Sequence, residues 1–311
     1  MKLLITNAFQ CTQEQIEQLK TLGFSVKKLA NENEAVSEDF LDSDAVICNN
    51  LFQYNDIAKF KNLKMVHLTS AGLDRAPLNY IQLKKIELFS AKGVYSVPIA
   101  EWVILKILEL YKFSHFFYKQ QEKQKWEKHR EILELSGKTA CIVGFGDIGQ
   151  AIAKRLLSFN VKIIAVDAVK INSSFFNDFY FVNSIDSVLK ESDIIILALP
   201  LNSQTRHFIN KEKLGLMKEK SVLINISRGG VIDEQALIAA LKRNQIWGAA
   251  LDVFEKEPLS AASPLWQFKN VIITPHNSFV SGHNNERMFK LILKNLSAFL
   301  NKRRFLRSRM E

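Results

Sequence analysis

The chain has 311 residues, 47% of them hydrophobic and 24% charged, which is enough apolar material for two buried cores and ordinary for a globular protein. Its formal charge of +10 raises the question of nucleic acid, but the basic residues are dispersed along the chain. The one dense run, Lys302, Arg303, Arg304, Arg307 and Arg309, stands at the end, where cations favourably meet the dipole of a helix C-terminus.

No stretch reaches the roughly 18 apolar residues of a membrane span, and the apolar run at Met1 is too short for a secretory signal. Cys11, Cys48 and Cys141 are far apart, with no CxxC pair and no histidine at zinc spacing, so reduced thiols in a cytoplasm are expected and no metal site is.

In chain order, KLLITNA is a strand, and Thr12 followed three residues later by Gln15 forms the start signal of a helix stopping near Gly23. FSVKKLA, DAVICNN, KMVHLTS and IELFSA follow as further strands, each leading into a polar or helical connection. This alternation predicts a parallel sheet wrapped by helices. Ser70, Ala71 and Gly72 follow one strand directly and Val94 follows another; small residues beyond strand ends can offer backbone N–H groups to a carboxylate. From Pro98 a single long helix is expected through about Lys125. Its aromatic cluster, Tyr111, Phe113, Phe116, Phe117 and Tyr118, exceeds one helical face and calls for further cover such as a second subunit. His115 within it is read as a packed residue.

The stretch from Lys138 to Asp167 carries the strongest signal. An apolar strand ends in a glycine turn, Gly144, Gly146 and Gly149, followed by an amphipathic helix and a second strand closing on Asp167, 18 residues beyond the last glycine. The glycines permit a tight turn, close approach to a pyrophosphate and close helix packing, and the helix N-terminus faces the negative charge. An acid at about 20 residues' distance accepts from an adenosine ribose, and its carboxylate repels a 2′-phosphate, which favours NAD over NADP. Strands near Tyr180, at DIIILAL, SVLINIS, GAALDV and NVIITP, and helices over 184–190 and 233–244 continue the alternation, and a last helix over 284–300 can return to the first domain.

Three strand ends after the glycine turn carry reactive groups: Arg228, Glu257 and His276. On a parallel sheet all three project from one edge. Arg228 offers a permanently charged fork for a carboxylate or carbonyl oxygen. His276 can donate a proton near neutral pH, and Glu257 can hold its imidazole in one tautomer and favour the protonated form.

VGFGDIGQAIAKRL, ALPLNSQTRHFIN, NISRGGVIDEQALIAAL, GAALDVFEKEPL and SPLWQFKNVIITPHNS together resemble the D-isomer specific 2-hydroxyacid dehydrogenase family, over about Pro98 to Ser278. SAGLD and GVYSVPIAEW extend the likeness into the first domain. The resemblance implies an α/β protein of two Rossmann-like or flavodoxin-like domains with parallel sheets and a cleft between them. Residues 1–97 with 282–311 would form the substrate domain and 98–281 the NAD domain. It also implies a homodimer and reversible NAD(H)-dependent reduction of small 2-oxo acids to 2-hydroxy acids.

Matched by motif, Arg228 would bind substrate, His276 would be the acid/base and Glu257 its support. Asp147 and Ile148 of the glycine turn, Pro200 and Ser227 would contact the cofactor, with Asp252 at the nicotinamide amide. Ser70, Ala71, Gly72 and Val94 would supply amides to the substrate. Within enzymes the alternative is a phosphoglycerate dehydrogenase, although those differ at SAGLDRAP and KGVYSVP and commonly carry a regulatory extension. A non-catalytic, NAD-sensing corepressor is the alternative of another class.

Overall fold

A computed structural model describes residues 1–307 of the chain; Arg309 of the terminal basic run lies outside the described residues. The chain divides into two compact units, one of Met1–Tyr95 with the segment from Ser281 onward, the other of Ser96–Val280. In chain order the first stretch contains β1 (Lys2–Thr6), α1 (Gln13–Thr21), β2 (Ser25–Leu29), α2 (Glu38–Leu41), β3 (Ala45–Cys48), α3 (Leu51–Tyr54), β4 (Met65–Leu68), α4 (Leu78–Leu83) and β5 (Glu87–Phe89). The five strands form one parallel sheet in the order β2-β1-β3-β4-β5. Helix α1 starts with the expected capping box, in which the Gln15 N–H donates to Thr12 Oγ1 while the Gln15 side chain accepts from the Thr12 N–H.

Strands β1, β3 and β4 are buried on both faces, so their side chains sort by the two-residue period of the pleat. Leu3, Ile5, Ala45, Ile47 and Met65 face one core; Leu4, Val46, Cys48, Val66 and Leu68 face the other.

The second unit contains α5 (Ser96–Tyr111), α6 (Ser114–Glu122), β6 (Thr139–Val143), α7 (Asp147–Leu157), β7 (Lys162–Asp167), β8 (Asp178–Phe181), α8 (Ile185–Glu191), β9 (Ile194–Leu197), α9 (Lys211–Leu216), β10 (Val222–Asn225), α10 (Glu234–Lys242), β11 (Gly248–Leu251) and β12 (Val271–Ile273). Its seven strands are all parallel, in the order β12-β11-β10-β9-β6-β7-β8. A doubly wound sheet of this order reverses direction between β6 and β9, and ligands bind outside the carboxyl ends of the strands there. The last helix, α11 (Asn284–Arg307), belongs to the first unit, where Met288, Phe289, Ile292, Leu296 and Phe299 enter the core around Leu3 and Ile5.

One element departs from the sequence expectation. The single helix expected over 98–125 is two helices, α5 and α6, broken at Phe113, whose backbone is left-handed at φ 52° and ψ 39°. No glycine or proline marks the break. The Phe113 ring instead stacks on His129 at 4.1 Å and meets Trp247 edge-on at 5.6 Å, so tertiary aromatic packing holds a conformation that local preference opposes. The returning chain then caps α5, with the Leu133 N–H donating to the Tyr111 carbonyl at 3.0 Å.

Candidate active site

The glycine turn joins β6 to α7 beside the reversal. Gly144 is left-handed at φ +89°, and a Cβ there would lie 2.6 Å from the backbone of Ala198, the residue after β9. A Cβ on Gly149 would lie 2.4 Å from the Gly144 carbonyl oxygen, so glycine is what lets α7 sit this close to the turn. At Gly146, the N-cap of α7, a Cβ would meet no protein atom within 4 Å; it would project into the open mouth of the turn, where the helix N–H groups point. Asp147 is exposed and Ile148 half-buried in the first turn. Asp167 ends β7 with Oδ2 accepting the Phe145 N–H at 2.7 Å, which ties the acid to the turn itself.

At the end of β9, Pro200 is exposed and starts a loop closed by the Thr205 hydroxyl on the Pro200 carbonyl at 2.6 Å. Beyond β10, Ser227 is buried, and both its N–H and its hydroxyl donate to Asn225 Oδ1, at 3.1 and 2.7 Å. The Asn225 amide in turn donates to the Arg228 carbonyl at 3.1 Å, and the guanidinium Nη1 donates to the Ser227 carbonyl at 2.9 Å. Asn225 therefore fixes the turn that presents Arg228. Its signal in the sequence is a polar residue closing an otherwise apolar strand, which sequence reading passed over.

The next two strand ends bring Glu257 and His276 together. Glu257 Oε2 lies 2.9 Å from His276 Nδ1, while Oε1 accepts the Phe254 N–H at 3.1 Å. A carboxylate only accepts, so Nδ1 carries the proton and Nε2 is the nitrogen available for chemistry. Both side chains are about one-third exposed, at 35% for His276 and 37% for Glu257. His276 is held in a left-handed conformation, φ 51°, which is uncommon for a residue with a Cβ.

Asp252 explains how that conformation persists. Its carboxylate is 1% exposed and accepts from Thr274 Oγ1 at 2.5 Å, the Asn277 N–H at 2.8 Å and the Ser278 N–H at 3.0 Å. Its backbone carbonyl takes the His276 N–H at 2.8 Å. Asp252, expected at the nicotinamide amide, clamps the turn that carries His276.

In the first unit, Ser70, Ala71 and Gly72 follow β4 as a pre-formed loop, with the Ser70 hydroxyl donating to the Gly72 carbonyl at 2.8 Å. Val94 differs from its expected part. Its side chain is buried and its N–H donates to the Ala91 carbonyl at 3.1 Å, so that amide is spent within its own turn.

Residues 104–278 match the family profile described as D-isomer specific 2-hydroxyacid dehydrogenase, NAD binding domain. A glyoxylate reductase of Thermofilum pendens is 35% identical over 86% of this chain and 81% of its own. The chain belongs to the D-isomer specific 2-hydroxyacid dehydrogenases. A hydroxypyruvate reductase of Thermotoga maritima is 36% identical over 70% of this chain and 71% of its own. The crystal structure of a D-lactate dehydrogenase from Aquifex aeolicus, complexed with NAD and lactic acid, is 28% identical and superposes with a TM-score of 0.78 over 96% of both chains.

As a 2-hydroxyacid dehydrogenase the protein is an oxidoreductase acting on the CH–OH group, with NAD as cofactor. The residues fit that cofactor: the N-terminus of α7 opens beside Gly146, where no protein atom lies within 4 Å of a Cβ position, and Asp167 stands at the strand end where a ribose is read.

Proposed function

We propose that the protein reduces small 2-oxo acids with NADH, with His276 as proton donor, Arg228 as substrate anchor and Glu257 as the group that orients the histidine. The observation that carries this reading is the His276–Glu257 pair on the same sheet edge as Arg228 and the glycine turn. Bound NADH supplies the hydride. Arg228 pairs its planar fork with the substrate carboxylate or carbonyl oxygen, which fixes the reacting carbon and draws charge onto the oxygen. His276 delivers its Nε2 proton to that oxygen, and Glu257 stabilises the imidazolium before transfer and the tautomer after it. The turn at Asp252 holds the imidazole in place, so little ordering is left to the moment of reaction.

The relatives named for glyoxylate and hydroxypyruvate reduction support a short, unbranched substrate. Three free cysteines, two of them buried, support a reducing, cytoplasmic setting. A second copy of the chain is the proposed cover for the α5–α6 region, where Leu105 is 50% and Tyr118 59% exposed and Trp126, just beyond α6, 98%. The test is NADH oxidation against glyoxylate, hydroxypyruvate, pyruvate and 3-phosphohydroxypyruvate, with NADPH in parallel and sedimentation for the oligomer. Rapid turnover of a short 2-oxo acid is expected. Inactivity on every acid alongside NADH binding would replace this reading with that of an NAD-sensing binding protein.

A further inference from the structure

His207 and Glu255 have no part in the chemistry above, yet they lie between the two pieces of backbone that the chemistry needs. His207 closes the loop that begins at Pro200; Glu255 stands two residues before Glu257. His207 Nε2 is 2.8 Å from Glu255 Oε1 and is sealed from solvent, a close approach whose angles fall outside those of a hydrogen bond, although the side chains as a whole are 39% and 35% exposed.

Three further observations show how firmly the pair is placed. His207 is left-handed, φ 49°, and its N–H donates to the Gly230 carbonyl at 2.8 Å, so the loop is tied to the turn that follows Arg228. Gly229 packs so tightly beneath the second segment that a Cβ would fall 1.8 Å from the Phe254 carbonyl carbon. Glu234 and Glu255 face each other, each carboxylate accepting the other's N–H at 3.4 Å, which concentrates negative charge where the imidazole docks. Burial and the neighbouring Glu255 charge push the Glu234 carboxyl above its ordinary range, in keeping with that crowding. From Glu255 the chain runs directly to the Phe254 N–H and Glu257, and so to His276.

We propose that the close His207–Glu255 contact is a clip that sets the Pro200 loop against the segment carrying Glu257, making both residues positioning residues for hydride transfer. The proposal rests on the reductase reading for its kinetic consequence, but the clip itself is a statement about this chain alone. A polar contact between side chains this exposed contributes little to stability, whereas a small displacement between a cofactor-lining loop and the proton donor is costly in rate. Positioning and plain structural support therefore predict different readouts.

The experiment compares wild type with His207→Ala, Glu255→Ala and the double variant. With glyoxylate or hydroxypyruvate as substrate, each single change is expected to lower kcat by about 10-fold. The double variant should be no worse than about twofold below either single, because the two act as one unit. NADH affinity by fluorescence and the melting temperature of the cofactor-free protein should stay near wild type. The deuterium isotope effect on kcat should rise as hydride transfer becomes rate-limiting.

Amide exchange on the cofactor-free protein provides the independent arm: His207→Ala should speed exchange at Phe254, Glu255 and Glu257, across the clip. Additive kinetic losses, or faster exchange confined to 205–209, would overturn the proposal. If an alanine variant melts far below wild type, Glu255→Gln keeps the shape and removes the charge; unchanged exchange across the clip in that variant would overturn it equally. If the wild type turns over no 2-oxo acid, the reductase reading fails, while the exchange result still decides the clip.

Discussion

The two sheets of this chain reverse strand order at corresponding places and use the crevice in opposite ways. In the second unit the reversal lies between β6 and β9, and in the first between β1 and β3. Both place an acid after the neighbouring strand, Asp167 at the end of β7 and Glu32 three residues beyond β2. Asp167 stays on its own side and accepts from Phe145 N–H, leaving the mouth of the glycine turn clear.

Glu32 reaches across instead. It is 6% exposed, accepts the hydroxyl of Thr6 at the end of β1, and takes the N–H groups of Asn49 and Asn50 beyond β3, both at 2.7 Å. A carboxylate from within the protein thus occupies the amides that in a binding crevice would face a ligand. Topology prepares such a crevice, and one side chain decides whether it stays open.

The largest test of the contrast is at the open edge. His276→Ala should lower kcat by about 100-fold or more while leaving NADH affinity near wild type, measured by steady-state kinetics and fluorescence titration. Full activity in that variant would remove the proton-donor role.

At the closed edge the expected loss is of stability. Glu32→Ala strands two half-buried N–H groups and a buried hydroxyl and should cost about 2 kcal/mol in urea unfolding. NADH binding by the second unit should persist in native conditions; loss of binding without loss of stability would make Glu32 a ligand contact after all.

His67 sharpens the same contrast through pH. It is fully buried in β4, stacked on Phe89, with Nδ1 3.1 Å from the Leu68 carbonyl and Nε2 3.2 Å from the Asn295 amide. Burial lowers its pKa from 6.5 to about 4. The folded state therefore binds fewer protons than the unfolded chain between those values, and stability falls as pH drops through that window. The loss is at most about 3 kcal/mol and is complete below pH about 4. Urea unfolding followed by probes in each unit should show the first unit losing stability over that range, and His67→Gln should flatten the slope.

The smallest effect belongs to Asp167. Asp167→Ser should shift cofactor preference toward NADPH by about 10-fold, with little change in stability. Equal preference before and after the change would assign the ribose to another residue.

Much of this was legible in the sequence because it follows from local rules. Alternating apolar runs identify the strands, Thr12 and Gln15 mark a helix start, and glycines at 144, 146 and 149, set between a strand and a helix and followed by Asp167, point to a dinucleotide turn. Arg228, Glu257 and His276 were legible jointly, since successive strand ends of a parallel sheet share one edge.

What the sequence did not show lay mostly in contacts remote along the chain. The break at Phe113 depends on His129 and Trp247; the Val94 N–H, by contrast, is taken locally by the Ala91 carbonyl, in a turn the strand pattern does not show. Asp252 acts through Thr274, Asn277 and Ser278, and Glu32 through Thr6, Asn49 and Asn50.

The sequence by itself determined the class of fold and the place of the glycine turn, and it brought forward Arg228, Glu257 and His276 as candidates, because backbone preference and hydrophobic period act over a few residues. Only the tertiary structure decided which strand-order reversal remains open and how His276 is held, because buried carboxylates choose among N–H groups that folding alone brings within reach.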